Sequence, residues 1–170
     1  AGGLAVRHLL QLGHRRIGWA QSARPLTPNR GLRLSGIKDV VAQARLTLCC
    51  ELSGFLEVDF REQLRDVLSG KSPPTALVCE SRSLVTSLVS VAGGRGLRVP
   101  EEFSVLGFGA PGDALNVLRP TVVAFEHRAM GERSLELLLD EEVLIHSRRE
   151  VVGSWREKGN TTGPVPAKIR

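Results

Sequence analysis

The chain has 170 residues, of which 42% are hydrophobic and 24% are charged, a composition typical of one globular domain with a buried core. No apolar stretch approaches the roughly 20 residues that a membrane-spanning helix needs, so no membrane contact is expected. The net charge is +5, but the basic residues are scattered along the sequence and aromatic residues make up only 4%. A solvated basic surface is therefore a simpler interpretation than a nucleic-acid site.

The amino terminus and the cysteines bear on location and metal binding. Residues 1–8 lack the basic head, long apolar run and cleavage site of a secretory signal, so a cytoplasmic location is expected. The three cysteines, Cys49, Cys50 and Cys79, form neither a disulfide framework nor a metal-ligand spacing. We therefore expect neither a metal nor a cofactor.

The first half of the chain alternates between helical and strand patterns. Apolar residues at helical spacing predict a first helix that ends near Gly13 and a second helix that begins near Arg30. Short apolar runs predict buried strands at Arg16–Ala20 and at Leu46–Leu52. No internal repeat or low-complexity block appears in the chain.

The second half continues the same alternation. A helix that ends at Ser69–Gly70 precedes a predicted strand at Ala76–Cys79, and further strands are predicted at Ser104–Phe108 and Thr121–Phe125. Strands with apolar cores, separated by helical segments, indicate a parallel sheet that is covered on both faces. The predicted fold class is therefore α/β. Residues from Gly159 to Arg170 show no pattern and are predicted to form an unstructured tail.

The helix predicted from about Arg82 to Ala92 is apolar around most of its circumference. Two adjacent faces are apolar, formed by Leu84, Leu88 and Val91 on one side and by Val85, Val89 and Ala92 on the next. Such a helix should be buried on more than its sheet side. This pattern predicts that the helix lies in a subunit interface.

A glycine pattern at Gly107–Gly112 matches the G-x-G-x-x-G motif of dinucleotide-binding proteins and follows a predicted strand. That motif needs a helix amino terminus aimed at the pyrophosphate and a crossover helix of about three turns. Only Ala114–Leu118 is available for that helix before Arg119-Pro120. The hypothesis of a nucleotide-dependent enzyme therefore depends on the glycines alone.

The segment Leu9–Gly18, with the sequence LLQLGHRRIG, resembles a signature in the sensor domains of the lactose-repressor (LacI/GalR) family of transcriptional regulators. Later landmarks of that family follow in the same order. They are Arg33–Ile37 ("RxxGf"), Pro73–Leu77 ("PTAvf"), Gly96–Phe108 ("GlrVPedisVvGf"), and Pro120–Val123 with Met130–Gly131 ("lTtv…lG"). The likeness extends from about Leu4 to Thr162.

The resemblance implies the C-terminal part of an effector-binding domain, a three-layer helix/sheet/helix lobe of the periplasmic-binding-protein-like type I fold. In this family a helix-turn-helix headpiece and a first lobe precede that part, and the chain contains neither. Residues 1–158 would form the sensing domain, and the helix at about 127–140 would pack on the missing first lobe. Glu150–Trp155 would return to the sheet as a strand.

The function that the resemblance implies is a ligand-sensing and dimerisation module of a DNA-binding repressor. Its expected partners are a sugar-like small-molecule effector, a second copy of the chain, and operator DNA through the absent headpiece. The alternative is a periplasmic solute-binding protein, which shares the fold and normally carries a signal peptide. No histidine stands at a recognisable spacing from a Cys, Asp or Ser partner, so the chain is not expected to be an enzyme.

The resemblance also implies an effector site at the carboxyl ends of the strands, where open α/β sheets bind ligands. Arg33 matches the family arginine that holds an effector hydroxyl or carboxylate, whereas the alternative role is a structural ion pair at the start of the helix. Phe108 and Phe125 would place aromatic faces at the same strand ends.

Two polar landmarks of the family site are replaced in this chain. Glu80 and Ser81 stand where the family has Asn-Asp, and Gly109 and Ala110 stand where it has a carboxylate. Loss of two anchors should weaken sugar binding by several kcal/mol, at about 1 to 3 kcal/mol for each unpaired group. The site would then take a less polar or stacked ligand, or be a degenerate pocket in which Glu80 pairs with Arg33.

Overall fold

The computed structural model describes residues 1–25, 27–110, 117–140 and 152–166. Its strands are β1 (Ile17–Ser22), β2 (Glu51–Gly54), β3 (Ala76–Cys79), β4 (Ser104–Phe108), β5 (Thr121–Phe125) and β6 (Ser154–Glu157). They form one sheet in the order β2-β1-β3-β4-β5-β6. The first five strands are parallel, and β6 pairs with β5 in the antiparallel sense.

The helices are α1 (Gly2–Gln11), α2 (Pro28–Gln43), α3 (Glu57–Leu68), α4 (Arg82–Gly93) and α5 (His127–Leu139). Because side chains alternate along a strand, Ala76 and Val78 join the hydrophobic cluster under α1 and α2, whereas Leu77 and Cys79 join the cluster with α3 and α4. Two cores on opposite faces of a mostly parallel sheet confirm the predicted three-layer α/β lobe.

The predicted end of the first helix is confirmed at Gly13. This residue has φ +90, a left-handed conformation that glycine adopts without a steric penalty. The His14 N–H donates to the Leu9 carbonyl and the Gly13 N–H to the Leu10 carbonyl, so the turn satisfies the last carbonyls of the helix. The chain then enters β1.

The second strand lies later than predicted. The sequence pattern places it at Leu46–Leu52, whereas β2 begins at Glu51. Leu46 and Leu48 pack as half-buried side chains against the core under α1 and α2 from the connection before the strand. Their apolar character therefore reflects core packing and not strand pairing.

Helix α4 exposes less apolar surface than its sequence suggests. Its apolar residues pack inside the lobe, and the outward positions carry Ser83, Thr86 and Ser90. The Ser81 hydroxyl caps the helix by accepting from the Leu84 N–H. The apolar circumference is explained by the lobe's own core, so this pattern does not by itself indicate a subunit interface.

The tail from Gly159 was predicted to be unstructured, and this prediction is wrong for the part that the structure describes. Thr161 is fully buried, and its hydroxyl donates to the Val105 carbonyl at 2.6 Å and accepts from the Thr121 N–H at 2.9 Å. These strand groups need hydrogen-bond partners once buried, and the segment supplies them. Residues 167–170 lie outside the described residues.

His14 joins the same segment to the sheet. Its Nε2 donates to the Gly163 carbonyl at 3.0 Å, and its Nδ1 lies 2.9 Å from the Thr75 hydroxyl. Burial lowers the pKa of His14, although the bond to Gly163 partly opposes that shift. His14 therefore links the segment that contains Gly163 to the end of α1 and to the start of β3.

In α5 no residue is buried. It exposes four large apolar side chains: Met130, Leu135, Leu138 and Leu139. The predicted return strand is found at Ser154–Glu157, two to four residues later than the resemblance implies, and residues 141–151 lie outside the described part. None of the described helices is long and apolar enough to cross a membrane.

Candidate functional site

The candidate site lies where the carboxyl ends of the parallel strands meet, which we call the carboxyl edge. β3 ends at Cys79, β4 at Phe108 and β5 at Phe125, and these three strands are neighbours in the sheet. The amino-terminal turns of α2 approach the same edge and bring Arg30 and Arg33 to it. The side chains of the site therefore come from segments that are far apart in sequence.

Arg33 is held between two aromatic rings. Its Cζ lies 5.0 Å from the ring centroid of Phe108 and 5.2 Å from that of Phe125, and Nη1 donates to the Glu80 carbonyl at 3.0 Å. Burial lowers the pKa of the guanidinium, and the nearby Glu80 carboxylate opposes that shift. The result is a cation fixed against the aromatic faces predicted at these strand ends.

The Glu80 carboxylate pairs with Arg30 and not with Arg33. Arg30 Nε lies 2.6 Å from Glu80 Oε2, and both side chains are only about one tenth exposed, at 11% and 12%. Arg30 also donates to the Ser22, Arg24 and Pro25 carbonyls. The sequence-based hypothesis that Glu80 pairs with Arg33 is therefore wrong. Its partner is Arg30, which lies one helical turn earlier in α2.

The remaining predicted residues have structural roles at this edge. Ser81 caps α4, and Gly109 has φ +146, which L side chains rarely adopt. A Cβ at Gly107 would lie 2.6 Å from the Ser81 carbonyl oxygen, so a side chain there would block the packing of α4 on β4. These constraints explain two glycines of the G-x-G-x-x-G pattern without a bound phosphate. Its last residues, Pro111 and Gly112, lie outside the described residues.

A pocket of about 340 Å³ opens beside Arg33. It is lined by Ala1, Gly2, Asn29, Leu32, Arg33, Phe125, His127 and Met130. Apart from the guanidinium, the Asn29 amide and the His127 ring, its wall is mainly apolar. Such a wall can cover a planar or apolar group of a ligand while the guanidinium meets an anion or a hydroxyl.

A second pocket of about 350 Å³ opens beside Glu80. Phe55 lines it together with Glu80 and Ser81, and the Phe55 side chain is 67% exposed. Sequence reasoning missed Phe55 because the second strand was placed too early. Once β2 is known to end at Gly54, Phe55 follows a strand end just as Glu80 follows β3.

The comparisons with known proteins agree with this architecture. The model of the family described as "Periplasmic binding protein-like domain" matches residues 6–152. The repressor PurR of Mannheimia succiniciproducens is 27% identical over 89% of this chain and 46% of its own length. The regulator GalR of Escherichia coli is 33% identical over 80% of this chain and 40% of its own length.

The fold also matches solved structures. The lac repressor dimer bound to operator and the anti-inducer ONPF superposes with a TM-score of 0.81 at 22% identity, over 95% of this chain and 57% of that one. The chain spans less than half the length of the curated relatives named above. The relatives are named as repressors and regulators, which favours a regulator over a periplasmic solute-binding protein. The chain belongs to the periplasmic binding protein-like family, in the form that LacI/GalR transcriptional regulators use as their effector-binding domain.

Proposed function

We propose that the carboxyl edge binds a small-molecule effector and that Arg33 is its principal polar contact. The observation that carries this proposal is the position of the Arg33 guanidinium, fixed by Phe108 and Phe125 beside the pocket. Of the five N–H donors of a guanidinium, one is used by the Glu80 carbonyl in the described structure. The others suit a carboxylate or a pair of hydroxyls.

The proposed effector has a planar or apolar body and one anionic or strongly polar group. Gly109 and Ala110 supply no carboxylate, and Arg30 neutralises Glu80, so this lobe has few free acceptors for sugar hydroxyls. Leu32, Phe125 and Met130 instead supply apolar surface to the pocket. A neutral sugar would leave several hydroxyls unpaired at this wall, at a cost of about 1 to 3 kcal/mol for each.

Calorimetric titration of the protein carrying both lobes tests this proposal. Aromatic carboxylates should bind more tightly than neutral hexoses and pentoses of similar size. Replacement of Arg33 by Met should weaken carboxylate binding at least tenfold, whereas Arg61→Met on the exposed surface of α3 should leave it unchanged. Preferential binding of neutral sugars, or equal binding by both variants, would exclude the proposed contact.

The proposed assembly includes a first lobe that covers α5. No residue of α5 is buried, and Leu138 and Leu139 are 69% and 75% exposed. Leaving such a face in water is unfavourable, at about 25 cal/mol for each Å² of apolar area. Met130 on the same helix also lines the Arg33 pocket. A first lobe that packs on α5 would therefore also cover that pocket. The sequence encoded before Ala1 tests this: a helix-turn-helix followed by an α/β lobe is expected, whereas a signal peptide would indicate a solute-binding protein.

We further propose that the regulator acts as a cytoplasmic homodimer on operator DNA through that headpiece, and that it is not an enzyme. The lac repressor that shares this fold is described as a dimer bound to operator. In this chain Leu56 and Val58 are exposed at the start of α3, and they supply apolar area for a subunit contact. Sedimentation of the two-lobe protein should give a dimer, and Leu56→Asp should shift it toward the monomer.

The described residues contain no group of three or more His, Cys, Asp or Glu side chains that could hold a metal ion.

A further inference from the structure

Basic residues that are scattered in the sequence come together at the amino ends of the strands. We call this side the amino edge and define its basic row as six side chains. They are Arg45 before β2, Arg15 before β1, Lys71 before β3, Arg95 before β4, Arg119 before β5 and Lys158 after the antiparallel β6. Each of the six strands therefore has at least one exposed cation at this edge.

The row has the dimensions of a short stretch of duplex. Neighbouring strands lie about 4.8 Å apart, so six strands place these cations along roughly 24 Å. Arg45 follows α2, which packs on one face of the sheet, whereas Lys71 and Arg95 follow α3 and α4, which pack on the other face. A DNA duplex of that length, about seven base pairs, carries one phosphate charge for every 1.7 Å of its axis.

These cations are not neutralised by acidic neighbours in the described structure. The described residues contain six ion pairs, and none of them involves a member of the basic row. The connections before the strands at the amino edge also contain two further basic residues, Arg16 and Arg98, and two acidic residues, Glu101 and Glu102. Glu102 pairs with Arg98. Glu157 ends β6 beside Lys158 and adds a third acidic side chain to this edge. The amino edge therefore carries eight basic and three acidic side chains, whereas the other described residues carry eleven of each, so the net positive charge is concentrated at the amino edge.

A local structural role accounts for part of the row. Arg45, Lys71 and Arg95 follow helix ends, where cations stabilise the negative end of the helix dipole. Arg15 donates to the Leu10 and His14 carbonyls. Lys158 follows strand β6 and has no helix end to stabilise, yet it continues the row at the edge of the sheet. The helix dipole therefore does not explain the arrangement of all six cations.

We propose that the amino edge binds the phosphate backbone of double-stranded DNA without sequence preference, as a second contact surface opposite the effector site. A protein partner would need an apolar centre, and Val117 is the only exposed large hydrophobic side chain in the described connections of this edge. Single-stranded nucleic acid would need exposed aromatic rings for base stacking, and these described connections contain none. An array of cations on a rigid edge suits phosphates that repeat along a duplex.

The test measures binding of the 170-residue chain to a fluorescein-labelled 20-base-pair duplex of arbitrary sequence, by anisotropy between 50 and 200 mM salt. Six phosphate contacts would give a slope of log affinity against log salt of about −5. The edge variant carries Arg45→Gln, Lys71→Gln and Arg119→Gln. The control variant carries Lys38→Gln, Arg61→Gln and Arg65→Gln, which remove the same net charge from helix surfaces.

The edge variant should bind at least tenfold more weakly at 50 mM salt, with a slope closer to −3, while the control stays close to the parent chain. Circular dichroism melts of both variants show whether each is folded, and Arg119→Gln alone should reduce the slope by about 1. Equal loss in the two triple variants, or no duplex binding at 50 mM salt, would overturn the proposal. So would tighter binding of a single strand, or displacement of the duplex by polyglutamate at equal charge concentration.

Discussion

At the carboxyl edge of the sheet, charged side chains are paired with each other or stacked on rings beside open pockets, as in the Arg30–Glu80 pair and in Arg33. At the amino edge, the buried polar groups belong to neutral residues, such as His14 and Thr161, and the charges lie outside in solvent. The difference indicates that buried hydrogen bonds at the amino edge stabilise the lobe, whereas the carboxyl edge keeps charged side chains beside open pockets, where we propose that an effector binds. Substitutions of buried polar groups should therefore cost more stability at the amino edge.

The largest effect is expected for Thr161→Val. The substitution keeps the side-chain volume but removes the donor to the Val105 carbonyl and the acceptor for the Thr121 N–H, both buried. Each unsatisfied group costs about 1 to 3 kcal/mol, so the loss of both partners should lower the free energy of unfolding by about 2 to 6 kcal/mol. Urea denaturation measures it, with Thr47→Val in an exposed connection as the control. A loss below about 1 kcal/mol would show that the segment after Gly159 is not part of the folded core.

The next effect is a loss of stability in acid that comes from His8. Burial, with smaller contributions from Arg156, His14 and Lys158, lowers the pKa of His8 to about 4, whereas an unfolded histidine has a pKa near 6.5. The unfolded chain then binds more protons below pH 6.5, so this contribution is complete above that pH and is lost as the pH falls toward 4. The loss should be about 2 kcal/mol.

Two variants separate this histidine from the others. Replacement of His8 by Gln keeps a polar group near the Thr162 hydroxyl, which lies 2.9 Å from His8 Nε2, but cannot titrate. Its stability should change less between pH 6.5 and 4 than that of the parent chain, and His127→Gln at the exposed start of α5 serves as the matched control. Identical profiles for His8→Gln and the parent would mean that His8 is solvated in the folded chain.

Most of the lobe could be predicted from the sequence, because its strands and helices have strong periodic patterns. The strands β3, β4 and β5 and the end of α1 at Gly13 lie where the pattern places them. The tail could not be predicted, because Thr161 and Gly163 are polar or small and carry no periodicity. The burial of Thr161 depends on hydrogen bonds to Val105 and Thr121, and that of Gly163 on bonds to His14 and Ser104. All four partners are more than 35 positions away, so no local pattern reveals them.

The carboxyl edge was predicted in its location and only in part in its contacts. The stacking of Arg33 on Phe108 and Phe125 depends on three strand and helix ends meeting, and the parallel-sheet rule places them at one edge. The choice of partner for Glu80 depends on which of two arginines one helical turn apart reaches it, a difference of a few Å. The concentration of charge at the amino edge was missed because its residues are spread from Arg15 to Lys158.

A moderate effect is expected when the ion pair of the carboxyl edge is broken. The variant Glu80→Gln leaves Arg30 with its carbonyl acceptors at Ser22, Arg24 and Pro25, so the guanidinium is not left without partners. The free energy of unfolding should fall by about 1 to 2 kcal/mol, less than for Thr161→Val. The double variant with Arg30→Gln measures the coupling. A loss above about 4 kcal/mol would contradict the comparison of the two edges, since it would make this pair a main support of the fold.

The smallest effect is expected for the aromatic contact of Arg33. Cation–π contacts contribute about 0.5 to 1 kcal/mol at partly exposed sites. A cycle of Arg33→Met, Phe125→Leu and the double variant should therefore give a coupling energy in that range, measured by urea denaturation. Phe125 is only half-buried, so its truncation removes little core area. A coupling near zero would mean that the guanidinium leaves the ring in solution. The ring would then be free to stack on an effector, and Phe125 rather than Arg33 would dominate ligand binding.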